Sequence, residues 1–262
     1  LERPAELNIW RAPTDNDRHV REQWRMAGYD RAAARARSAR VERRTGAVVV
    51  HADVSVAASA VQPALAVRAE WTLTASGHLG VRLRARLTEG FPALPRFGLR
   101  LFLPENLDRV AYCGLGPGES YVDKRRSCRH GEFRTTVAAL HEGYLRPQEN
   151  GSRADCDTLV LSGDGALGLS VVGLRPFSFN ASAYTQEELT ARAHDVELTA
   201  CGSTVLCLDG AMAGIGSASC GPELLPHYRV DDEALGLDLV LLPTPSDSPS
   251  SDPIPAHNEV TR

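Results

Sequence analysis

From residue 47 onwards, apolar and polar residues alternate along much of the chain, as they do in strands with one buried face. Residues 48–56, 67–74 and 79–87 show this pattern, and the third segment alternates Val, Leu and Ala with Arg. Residues 75–78 supply a turn between the second and third segments. These segments predict an antiparallel sheet with one buried face and one wet face. Further strands are predicted at 97–103, 109–113, 158–162, 166–173, 176–183, 204–208 and 235–242.

The region before the first strand has a different period. Val20, Trp24 and Ala27 are spaced i, i+4, i+7, which places them on one face of a helix. This spacing predicts helix or helical fragments from residue 17 to about residue 40. Within that region, residues 31–40 are rich in Ala and Arg but carry little apolar periodicity. We therefore expect them to form solvated helix or loop.

A second, shorter helix is predicted after residue 185. Thr185 is followed three residues later by Glu188, which is the spacing of a capping box. The helix would extend to about His194. From residue 244 the chain is rich in Pro and Ser and has little apolar content, so residues 244–262 are predicted to be a disordered tail. The remaining 243 residues are expected to form one large, mostly antiparallel β domain.

Composition excludes several classes of protein. The chain has 262 residues, of which 43% are hydrophobic and 24% charged, so it can bury a full core. A net charge of −4 provides no basic footprint for nucleic acid. No apolar run approaches the roughly 20 residues that span a bilayer. We expect neither a nucleic-acid partner nor a membrane, and we expect a cytoplasmic protein because no signal peptide precedes the first strand.

The six cysteines contain no C-x-x-C pair. A zinc site is usually built from close ligand pairs, and a core of this size needs no disulfides, so reduced thiols are the expected state. The eight histidines form no H-x-x-x-H pair. Asp15 and Asp17 flank an asparagine, yet the glycine and distant glutamate of a calcium loop are missing. A turn and helix cap after Pro13 explains this cluster more simply.

The most specific string in the chain is NIWRAPTDND at residues 8–17. Four further strings follow in order: GLGPGESY at 114–121, YLRPQENG at 144–151, FSFNASAY at 177–184 and DGAMAGIG at 209–216. Together these five motifs resemble the C-terminal, small-chain domain of the LacZ-type β-galactosidases of glycoside hydrolase family 2. The resemblance runs from residue 8 to about residue 242.

This resemblance implies an all-β fold, namely a large antiparallel two-sheet super-sandwich like the galactose mutarotases, with a few short helices. It also implies that the two catalytic carboxylates of a retaining β-galactosidase lie in a preceding (β/α)₈ barrel, so this chain alone should be inactive. The expected partners are the preceding barrel and sandwich domains, a galactoside substrate and further copies of the full enzyme. No cofactor is expected in this chain, since the Mg and Na ions of the family lie mostly outside the region.

The resemblance also implies sugar-site residues. The family usually carries a tryptophan where this chain has Cys220, and a thiol cannot supply the stacking area of an indole. Gly116 and Glu119 belong to a loop that the resemblance makes mobile and adjacent to the active site; a plain glycine-rich turn is the alternative. Asn150 could bind sugar hydroxyls, although Asn-Gly is also a common turn dipeptide. Cys220 could equally be a small buried loop residue.

Two other functions fit an all-β domain of this kind. An aldose 1-epimerase needs a histidine acid and a glutamate base facing the sugar. The available pairs are His141 with Glu142, or His227 with Glu223, and neither lies in a recognisable epimerase motif. A non-catalytic carbohydrate-binding module is the second alternative, against which stands an aromatic content of only 6%.

Overall fold

The structure is a computed structural model that describes residues 1–165, 167–218, 220–231 and 234–244. The predicted all-β class is confirmed, and every strand pairing in the described residues is antiparallel. The strands are β1 (Glu6–Asn8), β2 (Ala33–Arg44), β3 (Ala47–Ala57), β4 (Leu65–Thr74), β5 (Leu79–Leu87), β6 (Arg96–Pro104), β7 (Arg109–Gly116), β8 (Arg129–Thr136), β9 (Arg153–Ser162), β10 (Gly168–Ser182), β11 (Ser203–Met212) and β12 (Leu235–Thr244). The α-helices are α1 (Val20–Met26), α2 (Val137–Leu140) and α3 (Gln186–Ala191).

Strand β10 joins two ladders of the fold. Its first part, residues 168–173, pairs with β12, and that ladder continues through β5, β4 and β3 to β2. Its last part, residues 178–182, pairs with β11, and this second ladder continues through β6 to β1. The opposite edge of β10 carries β9, followed by β7 and β8. Pro176, which has no N–H to donate, lies in the interval where β10 passes from β12 to β11.

A single apolar core receives side chains from both ladders. Leu206 and Leu208 of β11 belong to the same buried cluster as Leu83 of β5 and Leu237 of β12. The two ladders lie close together at Gly210, where an added Cβ would collide with the backbone carbonyl of Gly236. A side chain at position 210 would therefore force the strands apart.

The strands predicted from alternation are present. Residues 48–56, 67–74 and 79–87 lie in β3, β4 and β5, which pair consecutively. The two segments predicted at 166–173 and 176–183 form the single strand β10 from residue 168 onwards. Strand β8 was not predicted, because its sequence mixes charged and small residues without an apolar face.

The prediction of solvated helix or loop at residues 31–40 is wrong. Tyr29–Arg31 is a short 3₁₀ helix, and the following residues form β2, which pairs with β3 along its whole length. Nearly every side chain of β2 is exposed, so the strand is held by its backbone ladder rather than by burial of apolar groups. A sequence without apolar periodicity gives no indication of such a strand.

The two predicted helices are present but shorter than expected. Trp24 of α1 is buried against Trp10, with the ring centroids 6.2 Å apart and the planes nearly perpendicular. In α3, the Oγ1 atom of Thr185 accepts a hydrogen bond from the backbone N–H of Glu188 at 3.1 Å, as the capping motif predicts. The helix ends at Ala191 because Arg192 turns to an extended conformation.

The predicted tail, residues 244–262, falls outside the described residues from position 245 onwards, and Thr244 is the last residue of β12. No helix in the described part of the chain is both long and apolar enough to cross a bilayer. All six cysteines lie in the described residues, and none forms a disulfide in this structure.

Candidate functional site

The five sequence motifs are distant in the chain, yet they pack against one another. The backbone N–H of Glu149 donates to the carbonyl of Ala12 at 2.9 Å, and the N–H of Asp15 donates to Oε1 of Gln148 at 2.9 Å. Asn8 and Gln186 exchange side-chain hydrogen bonds and so join the first and fourth motifs. We call residues 8–17, 114–125, 144–153, 177–189 and 209–216 the motif cluster.

Arg11 anchors the opening motif inside the protein. Its side chain is 1% exposed and binds Asp17 through two parallel hydrogen bonds of 3.0 and 2.7 Å. The same guanidinium donates to the carbonyl oxygens of Ala213 and Gly214 at 2.7 and 3.0 Å. Asp17 also accepts from the backbone N–H of Thr14 at 2.9 Å. Asp17 is thus fully engaged in an ion pair and a turn, which agrees with a structural role for this cluster of polar residues.

A second buried ionic group surrounds Arg96 at the start of β6. Its Nε and Nη2 atoms donate to both carboxylate oxygens of Asp209 on β11, at 3.0 and 2.6 Å. Its Nη1 atom donates to Glu149 at 3.1 Å. The side chains of all three residues are at most 4% exposed. One guanidinium therefore serves two carboxylates and joins β6, β11 and the loop at residues 144–153.

The carboxylates of this group are difficult to ionise. Burial raises the pKa of Glu149, while the nearby charges of Arg96 and Arg11 act in the opposite direction. Burial also raises the pKa of Asp209, which Arg96 partly offsets. The charge of Arg96 is consequently what permits two carboxylates to share this apolar interior.

Glu119 fastens the glycine-rich loop, residues 114–121, to the rest of the motif cluster. Its carboxylate accepts hydrogen bonds from Lys124, from the Tyr144 hydroxyl and, at 2.8 Å, from the backbone N–H of Gly151. Burial opposes its ionisation, but these donors outweigh burial and lower the pKa of Glu119. Glu119 is therefore ionised at neutral pH and bridges three parts of the cluster.

The loop at residues 144–153 is shaped by its own polar side chains. Asn150 accepts from the N–H of Glu142 at 3.0 Å and donates to the carbonyl of Gln148 at 2.9 Å. Gly151 has φ of +73°, and a Cβ there would collide with the carbonyl of Leu140. Both ends of the Asn150 amide are thus used within the loop, and glycine is required at the next position.

The motif cluster also supports the long loop between β11 and β12. Asp123 accepts hydrogen bonds from the backbone N–H groups of Ile215 and Gly216 at 3.0 and 2.7 Å. The amide of Asn16 donates to the carbonyl of Ile215. Cys220 lies further along this loop as an exposed free thiol. The first residues of the loop are therefore held in place by hydrogen bonds to the motif cluster.

The structure brings together three of the four residues expected at the sugar site. Glu119 binds Gly151, the neighbour of Asn150, and Gly116 adjoins the Tyr112 hydroxyl and the Phe133 ring in the same region. Glu119 and Asn150 are buried. Cys220 stands apart from them, on the exposed loop between β11 and β12.

The residue pairs considered for epimerase chemistry are engaged elsewhere. His141 is 2.8 Å from Asp195 rather than oriented towards Glu142. Glu223 pairs with Arg229 at 3.0 Å, and the His227 ring packs on Tyr228. Neither pair is arranged as an acid and a base around a common space.

Sequence reasoning missed Arg96, and it placed Arg153 two residues after the third motif without giving it a role. Arg153 lies inside the protein, where its Nε donates to the Tyr112 hydroxyl at 3.1 Å and its Nη1 to the carbonyl of Gly151 at 2.9 Å. An arginine within an otherwise apolar strand is a usable signal for Arg96. That signal is ambiguous, because Arg100 occupies the same face of β6 four residues later and pairs with Glu6 and Glu187 near the surface.

Comparison with known proteins identifies similar chains. The family described as beta galactosidase small chain matches residues 1–241. The β-galactosidase of Actinobacillus pleuropneumoniae is 41% identical over 230 residues, which cover 88% of this chain and 22% of that protein. The β-galactosidase of Staphylococcus xylosus is 37% identical over 225 residues, which cover 86% of this chain and 22% of that protein. This chain thus spans less than a quarter of the length of these relatives.

Among solved structures, a galactose mutarotase related enzyme from Lactobacillus acidophilus aligns over 80% of this chain and 72% of its own, with 7% identity and a TM-score of 0.36.

The shared role of Arg96 predicts a pH-dependent loss of stability in Arg96→Met. This substitution leaves Asp209 and Glu149 buried without their cation and should cost about 3–5 kcal/mol of unfolding free energy at neutral pH. Their pKa values would rise further in the folded state, so the loss should shrink as the pH falls to the ordinary carboxylate range. Urea denaturation at pH values from neutral down to the ordinary carboxylate range measures this loss of unfolding free energy. Arg109→Met, which removes an ion pair with the exposed Asp164, is the control and should change little. An equal loss in both variants would contradict the prediction.

A second prediction concerns Glu119→Gln. Since the pKa of Glu119 is lowered in the folded protein, its stabilising contribution is present above the ordinary value of 4.5 and is lost as the pH falls through the folded value. The variant should lose about 2 kcal/mol at neutral pH and show a shallower decline of stability in acid. Glu105→Gln, at an exposed position, serves as the control and should follow the unmodified protein. Parallel acid-unfolding curves for all three proteins would refute this role.

Proposed function

Because the chain belongs to the β-galactosidase small-chain family, we propose that it forms the C-terminal domain or small subunit of a retaining β-galactosidase. The full enzyme would hydrolyse terminal β-D-galactosyl residues, as in lactose. This chain would shape the rim of the active site and contribute to assembly. The observation that carries the proposal is the convergence of all five motifs on a buried, internally neutralised cluster that supports an exposed loop.

The state of the buried carboxylates favours a supporting role over a catalytic one. A retaining glycosidase needs two carboxyl groups about 5–5.5 Å apart that a sugar can reach. In the motif cluster, Asp17 and Asp209 each accept two hydrogen bonds from an arginine, and Glu149 accepts one from Arg96. All three residues are buried. We therefore propose that the catalytic pair lies in a barrel domain outside this chain.

The surface beside the loop between β11 and β12 has the features expected at the rim of an active site. A groove opens there between α1 and the loop, and its lining offers the polar side chains of Asn16, Gln23, Ser217 and Glu223 next to the apolar Leu224. Such a mixture of apolar surface with a few polar groups is typical of ligand sites. Cys220 belongs to the same loop, and its side chain is exposed.

We propose different roles for the four candidate residues. Cys220 is exposed and would meet the ligand directly. Glu119 and Asn150 are buried with their polar atoms in internal hydrogen bonds, and Gly116 packs beside Tyr112. These three would therefore act on the substrate through the shape of the rim rather than through direct contact.

The remaining features of the proposal concern the whole enzyme. Its preceding barrel and sandwich domains would be the partners of this chain, and the assembly would be a cytoplasmic homo-oligomer. The Mg and Na ions of the full enzyme would bind mostly outside this chain. The share of the relatives' length that the chain covers, 22%, supports the proposal that further domains of a larger enzyme are its partners.

The first test measures hydrolysis of a nitrophenyl β-galactoside. The purified chain should show no turnover above buffer, whereas the full enzyme that includes residues 1–244 should be active. A full enzyme in which Arg96 is replaced by Met should lose activity in proportion to its loss of folded protein. Measurable turnover by the isolated chain would overturn the proposal.

The second test is Cys220→Trp in the full enzyme. An indole at this position should stack on a sugar ring and lower KM by roughly two- to tenfold, with a smaller effect on kcat. Val196→Trp, at a residue that is 91% exposed and lies outside the loop, provides the matched control and should leave KM unchanged. If KM is unaltered for every galactoside tested in both variants, Cys220 is a loop residue without a role in binding.

A further inference from the structure

Three side chains with metal-binding atoms meet on strands β7, β8 and β9. They are Cys113 on β7, His130 on β8 and Asp157 on β9, and one ligand atom from each lies within 4.8 Å of the others. The Nε2 atom of His130 is 3.2 Å from Oδ2 of Asp157. The Sγ atom of Cys113 is 3.9 Å from the same oxygen. In the described part of the chain, this is the one group of its kind.

The order of the strands brings these residues close together. Strand β7 lies between β8 and β9, and Cys113 is opposite Glu132 on one side and Thr158 on the other. His130 is two residues from Glu132 and so lies on the same face of β8, whereas Asp157 directly precedes Thr158, where the pairing of β7 with β9 ends. Spacing along the chain shows none of this, because the three residues are separated by 17 and 27 positions (130 − 113 and 157 − 130). The expectation that these thiols bind no zinc rests on their spacing along the chain.

The chemistry of the three ligands favours zinc. Thiolate, imidazole and carboxylate are all zinc ligands, and a thiolate disfavours the harder ions calcium and magnesium. Bond lengths of about 2.3 Å to sulfur and 2.0 Å to nitrogen or oxygen place tetrahedral ligands roughly 3.3–3.5 Å apart. The separations of 3.2 and 3.9 Å are near this range. His130 and Asp157 are about half exposed, so their side chains have room to adjust.

The electrostatics of the cluster also favour a cation. Two carboxylates lie near the Cys113 sulfur: Asp157 is 3.9 Å from it, and Glu132 is opposite Cys113 in the ladder of β7 and β8. A divalent ion placed among the three side chains would offset these charges and favour the thiolate. Water would fill the fourth position of a tetrahedral ion, or Glu132 would do so from the strand position opposite Cys113.

We propose that Cys113, His130 and Asp157 form a zinc-binding site that fastens β8 and β9 to β7. The site is independent of the proposed galactosidase function, because it lies on side chains outside the motif cluster. Its effect would be structural. A bound ion would connect β7, β8 and β9. Among the described strands, β8 pairs only with β7, so the ion would add a second attachment for it.

The experiment uses Co²⁺ as a spectroscopic substitute for zinc on the purified, chelator-treated protein. Cobalt bound to a thiolate gives a near-ultraviolet charge-transfer band, and one equivalent of Zn²⁺ should displace it. Zinc should also raise the Tm of the protein. A protein that shows no such band and no zinc-dependent rise in Tm overturns the proposal.

Variants identify the ligands. Cys113→Ser should abolish the band, and His130→Gln should weaken cobalt affinity at least about tenfold. Circular dichroism checks that each variant is folded. His130→Gln keeps the test valid if Cys113→Ser does not fold, because the His130 side chain is about half exposed. The matched control is Cys128→Ser, a partly exposed thiol near the glycine-rich loop, which should retain the band. Loss of the band in Cys128→Ser, or its persistence in Cys113→Ser, contradicts the assignment.

Discussion

The guanidinium of Arg96 is placed between the carboxylates of Asp209 and Glu149, and all three groups are removed from water. Transferring an ion from water to a protein interior costs several kcal/mol, which is recovered only when the partners meet in good geometry. The two parallel bonds between Arg96 and Asp209 provide that geometry, and they span the point between Asp209 and Ala211 where the pairing of β6 with β11 shifts register. The third bond, to Glu149, requires the loop at residues 144–153 to close over the same point. The strands and the loop are therefore positioned together.

The opening motif depends on this arrangement in turn. Glu149 donates its backbone N–H to Ala12, next to Arg11, and Arg11 holds the carbonyl groups at the end of β11. Strands β6 and β11 also lie close together beside this ionic group, because a Cβ on Gly98 would collide with the Leu208 carbonyl and with Asp209. Most of the polar residues that make the motifs conspicuous are thus engaged in hydrogen bonds inside the protein. The loop that follows the last motif is exposed at Cys220.

Alternation of apolar and polar residues is sufficient to predict β3, β4 and β5, since each has one face on the core. It fails for β2, whose stability comes from backbone pairing, and for β8, where no apolar face exists. For the site, the motifs indicate which segments matter but not how they meet. Arg96 cannot be separated from Arg100 by pattern, and the proximity of Cys113 to His130 follows from strand order alone. Long-range pairing determines these contacts, and no local signal in one sequence encodes it.

Strand β2 ends one ladder and presents a row of backbone groups without a neighbour on that side among the described strands. Open edges of this kind are templates on which a second chain can add a strand and begin an aggregate. The sequence of β2 counters that hazard, because Arg35, Arg37, Arg40, Arg43 and Arg44 project from it within ten residues. Two such edges brought together would set arginine against arginine. The feature that concealed this strand from pattern recognition, its charge on both faces, is the same feature that protects the protein from edge-to-edge association.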